Sequence, residues 1–156
     1  MSRENHAGDS ASIELLRARA DIEDAVHRYA LCVRTGKADD CVNLFTTDAT
    51  FEVREGNPGD PSSVRTRSTL QGRDAIVNYL NHGGAAGASV CPIISNLLIR
   101  VTGNEAASNC IMTAFVWATG QSVIGEYQDS YRYDDGALSS GWRFTSRVYT
   151  IFRAHS

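Results

Sequence analysis

The chain has 156 residues, 42% of them apolar and 21% charged, with a net charge of −3. This is the composition of a globular chain long enough to bury one core. There is no basic block to meet a nucleic-acid backbone, and no apolar run near the ~20 residues of a membrane-spanning helix.

The opening "MSRENHAGDSAS" is polar and lacks the apolar stretch of a secretion signal. The expectation is a cytoplasmic protein with a frayed tail over 1–12 and a single domain over 13–156. From Ile13 to Arg34 apolar residues recur at helical spacing through Leu15, Ile22, Val26, Tyr29 and Val33, and Gly36 supplies a stop. Asp39 then suits the cap of a short helix through Cys41, Val42, Leu44 and Phe45. "TTDATFEVRE" turns at Asp48 into a strand, "NPGDPSS" is a loop, and "VRTRSTLQG" is a second short strand. "RDAIVNYLNHGG" places Ala75, Ile76, Tyr79 and Leu80 on one helical face and stops at Gly83-Gly84.

Longer strands close the chain. Val90–Thr102 and Glu105–Thr119 flank Gly103-Asn104, a dipeptide suited to a tight hairpin. Val123–Tyr133 and Trp142–Arg153 flank the loop "DDGALSSG". Helices lead and a meander follows, which is an α+β fold: N-terminal helices packed on a curved antiparallel sheet, shaped as a cone around a pocket.

A two-residue turn at Gly103-Asn104 fixes the pairing of its strands, and opposed residues share a face. An unbroken register assigns Pro92, Ile94, Asn96, Leu98, Thr113, Phe115 and Trp117 to the pocket, and Cys91, Ile93, Cys110 and Met112 to packing. A single bulge would flip part of this assignment. In "GEYQDSYRYDD" the Tyr127, Asp129, Tyr131, Tyr133 phase is expected to face inward. In "GWRFTSRVYTIF" the Thr145, Arg147, Tyr149 phase is inward, leaving Trp142 and Phe144 on an outer face that favours a homodimer or homotrimer. Arg147 among apolar neighbours needs an anion or a carbonyl.

The four cysteines, Cys32, Cys41, Cys91 and Cys110, form no C-x-x-C pair and have no histidine at metal-ligand spacing. Buried free thiols are expected, with no metal and no cofactor.

The ordered segments "IEDAVHRYALCVRTGKADDCVNLFTTDATFE", "LQGRDAIVNYL", "ISNLLIRVTGNEAASNCIM" and "GEYQDSYRYDDG…GWRFTSR" resemble the SnoaL-like branch of the nuclear transport factor two-like superfamily, over about residues 13–153. The resemblance implies a cone with a deep apolar pocket, and relatives that include scytalone dehydratase, ketosteroid isomerase and polyketide cyclases. It also implies two departures: Arg34 stands where dehydratase-like members carry an aspartate, and Pro92 where they carry a histidine. That pair is the proton-abstracting dyad.

What remains suggests two functions. The first is a lyase or isomerase acting on a small oxygenated hydrophobic molecule, with Tyr29, Asn96 and Arg147 polarising an oxygen and Asp129 moving a proton. Its ligand-binding residues would be Arg34, Pro92, Asn96, Thr113, Phe115, Trp117, Tyr127 and Tyr149. Arg34 beside Arg147 would favour an anionic ligand, whereas a solvated helix end is the plainer role for Arg34, a core aromatic for Tyr29, and a structural ion pair for Asp129 and Arg147. The second function is a non-catalytic binding or scaffold protein. A dioxygenase β subunit would need an α-subunit partner. His82, at a helix end, is a solvated cap or a group hanging over the pocket mouth.

Overall fold

The computed structural model describes residues 4–82, 89–136 and 141–153. Helix α1 (Glu4–Thr35) leads, followed by a 3-10 segment (Ala38–Leu44), strand β1 (Phe45–Gly56), strand β2 (Arg65–Gln71) and helix α2 (Arg73–His82). Strands β3 (Val90–Thr102), β4 (Glu105–Val116), β5 (Gln121–Asp134) and β6 (Gly141–Phe152) complete the chain. The strands form one sheet in the order β2-β1-β6-β5-β4-β3. It is mixed rather than purely antiparallel, because β1 runs parallel to β6 while the other neighbours are antiparallel. The α+β architecture read from the sequence stands.

Helix α1 reaches Glu4, where a frayed tail was expected. No proline interrupts the upstream residues, and Ser12 Oγ donates to the Gly8 carbonyl at 3.0 Å. Its buried stripe is Ile22, Ala25, Val26, Tyr29 and Cys32, whereas Leu15 is exposed. Gly36 takes φ +69° and ends the helix, as a left-handed C-terminal residue does. Asp39 does not cap the 3-10 segment. That position is Lys37, without a side-chain bond, and Asp39 instead accepts from Asn81 Nδ2 at 3.1 Å, tying the end of α2 to this segment. The Gly83-Gly84 stop lies outside the described residues, as does part of the "DDGALSSG" loop.

The Gly103-Asn104 turn pairs Thr102 with Glu105 as expected, with Gly103 at φ +60°. The register holds back to Leu98 opposite Asn109, then shifts between Ser95 and Leu98. Asn96 and Leu97 together face the single position of Cys110, a β-bulge. Asn96 adopts φ +53°, in the left-handed region that asparagine tolerates better than other side chains. The bulge inverts the assignment below it. Pro92 stays inward, but Asn96 is exposed at the bulge, and Thr113, Phe115 and Trp117 turn to the outer face, with Trp117 70% exposed. Met112, Ala114 and Val116 face inward in their place.

A second bulge acts on β6. Ser130 pairs with Ser146 and Tyr131 with Phe144, leaving Thr145 as the extra residue. The inward phase changes there, so Trp142 and Phe144 are buried together with Arg147. The expected outer aromatic row of Trp142 and Phe144 is therefore part of the core. The outward aromatics are Phe115 and Trp117, whose rings meet edge to face at 4.9 Å.

All four cysteines are free, and burial pushes the Cys110 thiol up to about 11. Among the described residues no helix is long and apolar enough to cross a membrane.

The bulge residue gives a direct test. Asn96→Gly is expected to keep full stability, whereas Asn96→Val, β-branched in a left-handed conformation, should cost about 1–2 kcal/mol in urea unfolding. Equal stability of the two variants would remove the bulge from the account.

Candidate functional site

The inward faces of the strands stack in layers from the closed end of the cone to its mouth. Trp142, Phe144 and Tyr131 form the deepest layer, with Phe144 4.8 Å from Tyr131 between ring centroids. Above it Ser108, Asp129, Arg147 and Phe51 stand in one row across β4, β5, β6 and β1. Arg147 Nε and Nη2 each donate to Asp129 at 2.8 Å, a bidentate pair in which both side chains are 0% exposed. Tyr131 OH donates to Asp129 Oδ2 at 3.3 Å, which leaves Ser108 Oγ to donate to Tyr131 OH at 2.7 Å.

Three rings surround the guanidinium. Its carbon lies 4.0 Å from the Tyr29 centroid, 4.1 Å from Tyr127 and 4.4 Å from Phe144. Burial alone would lower the Arg147 pKa, but the Asp129 carboxylate outweighs it and holds the guanidinium well above its ordinary value. Nη1 has no hydrogen-bond partner among the described residues and is held against the rings.

Tyr29 and Tyr127 are also the floor of a cavity of about 220 Å³. Phe51, Tyr79, Pro92, Met112, Ala114 and Tyr149 line it, and Val33, Val90, Val116, Val123, Ile151 and Arg153 are among its other walls. The wall is thus almost wholly apolar, with four phenol hydroxyls and one guanidinium. Burial raises the pKa of every one of these phenols, that of Tyr149 to about 12, so they are neutral hydrogen-bonding groups at physiological pH. The Tyr149 ring lies over Gly125, where a Cβ would come within 2.9 Å of the ring and 2.5 Å of the Thr150 carbonyl oxygen.

The residues singled out from the sequence therefore separate into three groups. Tyr29, Pro92, Tyr127 and Tyr149 line the cavity. Asp129 and Arg147 meet each other beneath its floor and do not line it, because each satisfies the charge of the other. Arg34, Asn96, Thr113, Phe115 and Trp117 are absent from the wall. Arg34 is exposed in the last turn of α1, and the α1 residues that line the cavity are Tyr29 and Val33, one turn apart on the same face. His82 is exposed, with Nδ1 3.3 Å from the Asn78 carbonyl. Most of the apolar wall went unassigned in the sequence, and so did two polar lining residues, Tyr79 and Arg153. Extending the inward phase Arg147, Tyr149, Ile151 by two residues reaches Arg153. Among the described residues no group of three acidic, histidine or cysteine side chains is placed to hold a metal.

Removing one half of the buried pair strands the other charge. Arg147→Met is expected to destabilise the fold by about 3–5 kcal/mol in urea, and adding Asp129→Leu to recover most of that loss. If Arg147→Met leaves stability intact, the pair is not what holds this layer. The phenols predict a second trend. Below pH 10 both the folded and unfolded chains keep these protons, but above it the unfolded tyrosines ionise first, so stability should fall as pH rises through 10. Ultraviolet titration should show delayed tyrosinate formation, and an undelayed titration would contradict the burial.

Comparison with known proteins follows the same lines. No curated protein matches the chain. An NTF2-like protein with a cystatin-like fold from Novosphingobium aromaticivorans is 19% identical with a TM-score of 0.74, covering 94% of this chain and 90% of its own. Rv3472, a protein of unknown function from Mycobacterium tuberculosis, is 26% identical with a TM-score of 0.69, over 94% of this chain and 76% of its own. A scytalone dehydratase-like protein from Novosphingobium aromaticivorans is 22% identical with a TM-score of 0.68, over 94% and 93%. The SnoaL-like domain matches residues 14–148, nearly the whole of the helices and sheet that build the cavity, and the chain belongs to the SnoaL-like domain family.

Proposed function

We propose that this protein binds a small, largely apolar, oxygen-bearing molecule within its cone. The observation that carries this reading is the wall itself: an apolar cavity of about 220 Å³ whose polar groups are phenols and one guanidinium. Apolar walls with a few placed donors suit a compact aromatic or alicyclic compound, and a phenol that stays neutral donates to a carbonyl or hydroxyl oxygen.

Catalysis as a lyase or isomerase is the second reading, supported by the likeness to a scytalone dehydratase-like protein. Proton abstraction needs a base within reach of the substrate, and among the described residues no carboxylate, imidazole or thiol lines the cavity. In this reading the tyrosines would polarise a substrate oxygen. Binding alone needs none of the missing groups, so it is the function the geometry favours.

The test is to fill the cavity. Ala114 is buried on its wall, and Ala114→Met adds bulk there without adding charge. Calorimetry with acetophenone, 2-naphthol and 2-naphthamide should detect binding of at least one to the native protein, weakened about tenfold or more in Ala114→Met while circular dichroism is unchanged. Affinity untouched by the substitution would end the binding reading. Mass spectrometry of the recovered compounds separates the two readings, since a binder returns them unaltered.

A further inference from the structure

Arg153 is the one charged side chain among the described residues of the cavity wall, and it follows directly on β6, two residues beyond Ile151 and four beyond Tyr149, which also line the cavity. Its side chain is 58% exposed, which places it at the mouth. Its acidic neighbour, Glu55, is already engaged: Arg67 Nη1 donates to Glu55 Oε1 at 2.6 Å, while Arg153 Nε is 3.5 Å from Oε2, beyond a good hydrogen bond. Two guanidiniums share one carboxylate, so this side of the mouth carries a net positive charge, and the donors of Arg153 are the less committed of the two.

We infer that the cavity selects a small apolar molecule ending in an anionic oxygen group, a carboxylate or an enolate, with that group held by Arg153 and the hydroxyls of Tyr149 and Tyr79 and the apolar body resting on Tyr29 and Tyr127. This rests on the binding reading above and adds the charge and direction of the ligand. The three donors line one cavity. The Arg153 charge opposes the burial-driven rise of the Tyr149 pKa, and Tyr79 adds to that rise, as expected of groups facing a common space. The floor offers the opposite end nothing ionic, because the Arg147 charge is spent on Asp129 and screened by two rings. An anion is therefore favoured at the mouth and not at the floor. A guanidinium at a mouth can also be approached without stripping all its water, so the gain is smaller than in a buried pair and falls with salt.

The experiment compares 2-naphthoate with its neutral isostere 2-naphthamide by calorimetry at low and at high ionic strength. The native protein is expected to prefer the carboxylate by about tenfold at low salt, with the preference shrinking as salt rises. Arg153→Met should abolish the preference, lowering 2-naphthoate affinity about tenfold and 2-naphthamide affinity by much less. Glu55→Gln, which releases Arg153 from its competitor, should strengthen the preference. If the native protein binds 2-naphthamide as well as 2-naphthoate, or if Arg153→Met keeps the preference, the charge assignment is wrong and the binding reading survives it. If neither naphthalene compound binds and the neutral panel above also fails, the binding reading falls and takes this inference with it.

Discussion

The buried pair of Asp129 and Arg147 is the constraint around which the rest of the cone is arranged. Two opposite charges withdrawn from water are tolerable only when each is satisfied by the other and by further hydrogen bonds. Here the carboxylate takes two guanidinium donors and a tyrosine hydroxyl, and the guanidinium faces are covered by Tyr29, Tyr127 and Phe144. The requirement reaches four strands and α1 at once. It fixes β5 against β6, brings Phe51 of β1 into the same row, and pins the α1 stripe at Tyr29. The cavity begins where this layer ends, so its floor has the position and rigidity of an ion pair it never touches.

That arrangement explains why the fold was legible in the sequence and the site only partly so. Helix periodicity, the Gly103-Asn104 turn and the clean alternation of Tyr127, Asp129 and Tyr131 each report on a local period, and each is found in the structure. Faces are a different matter, because one extra residue in a strand exchanges inside and outside from that point on. Asn96-Leu97 on β3 and Thr145 on β6 are such residues. The first moved Thr113, Phe115 and Trp117 outward, and the second brought Trp142 and Phe144 in. The sequence did hold a trace of the first, since an asparagine in mid-strand is a poor ladder residue and a good left-handed one. Thr145 leaves no comparable mark, because a threonine fits a regular strand as well as a bulge.

The two positions where the family resemblance implied a lost dyad now differ in meaning. Pro92 lines the cavity, and its side chain brings neither donor nor base to that part of the wall. Arg34 points to solvent from the end of α1, and Val33 takes the place beside Tyr29. The wall beside Tyr29 is therefore apolar, like most of the cavity.

Gly125 has a bearing on how such a cavity changes over evolutionary time. Its missing side chain is the space in which the Tyr149 ring lies, since a Cβ there would press on both that ring and the Thr150 carbonyl. The contour of the wall is therefore written partly by a residue with no surface of its own in the cavity. A lineage could narrow or reshape the chamber from behind, by substitution at this one glycine, while every side chain that lines it stayed the same. Two descendants with identical linings could then accept molecules of different girth, and an inventory of lining residues would not tell them apart.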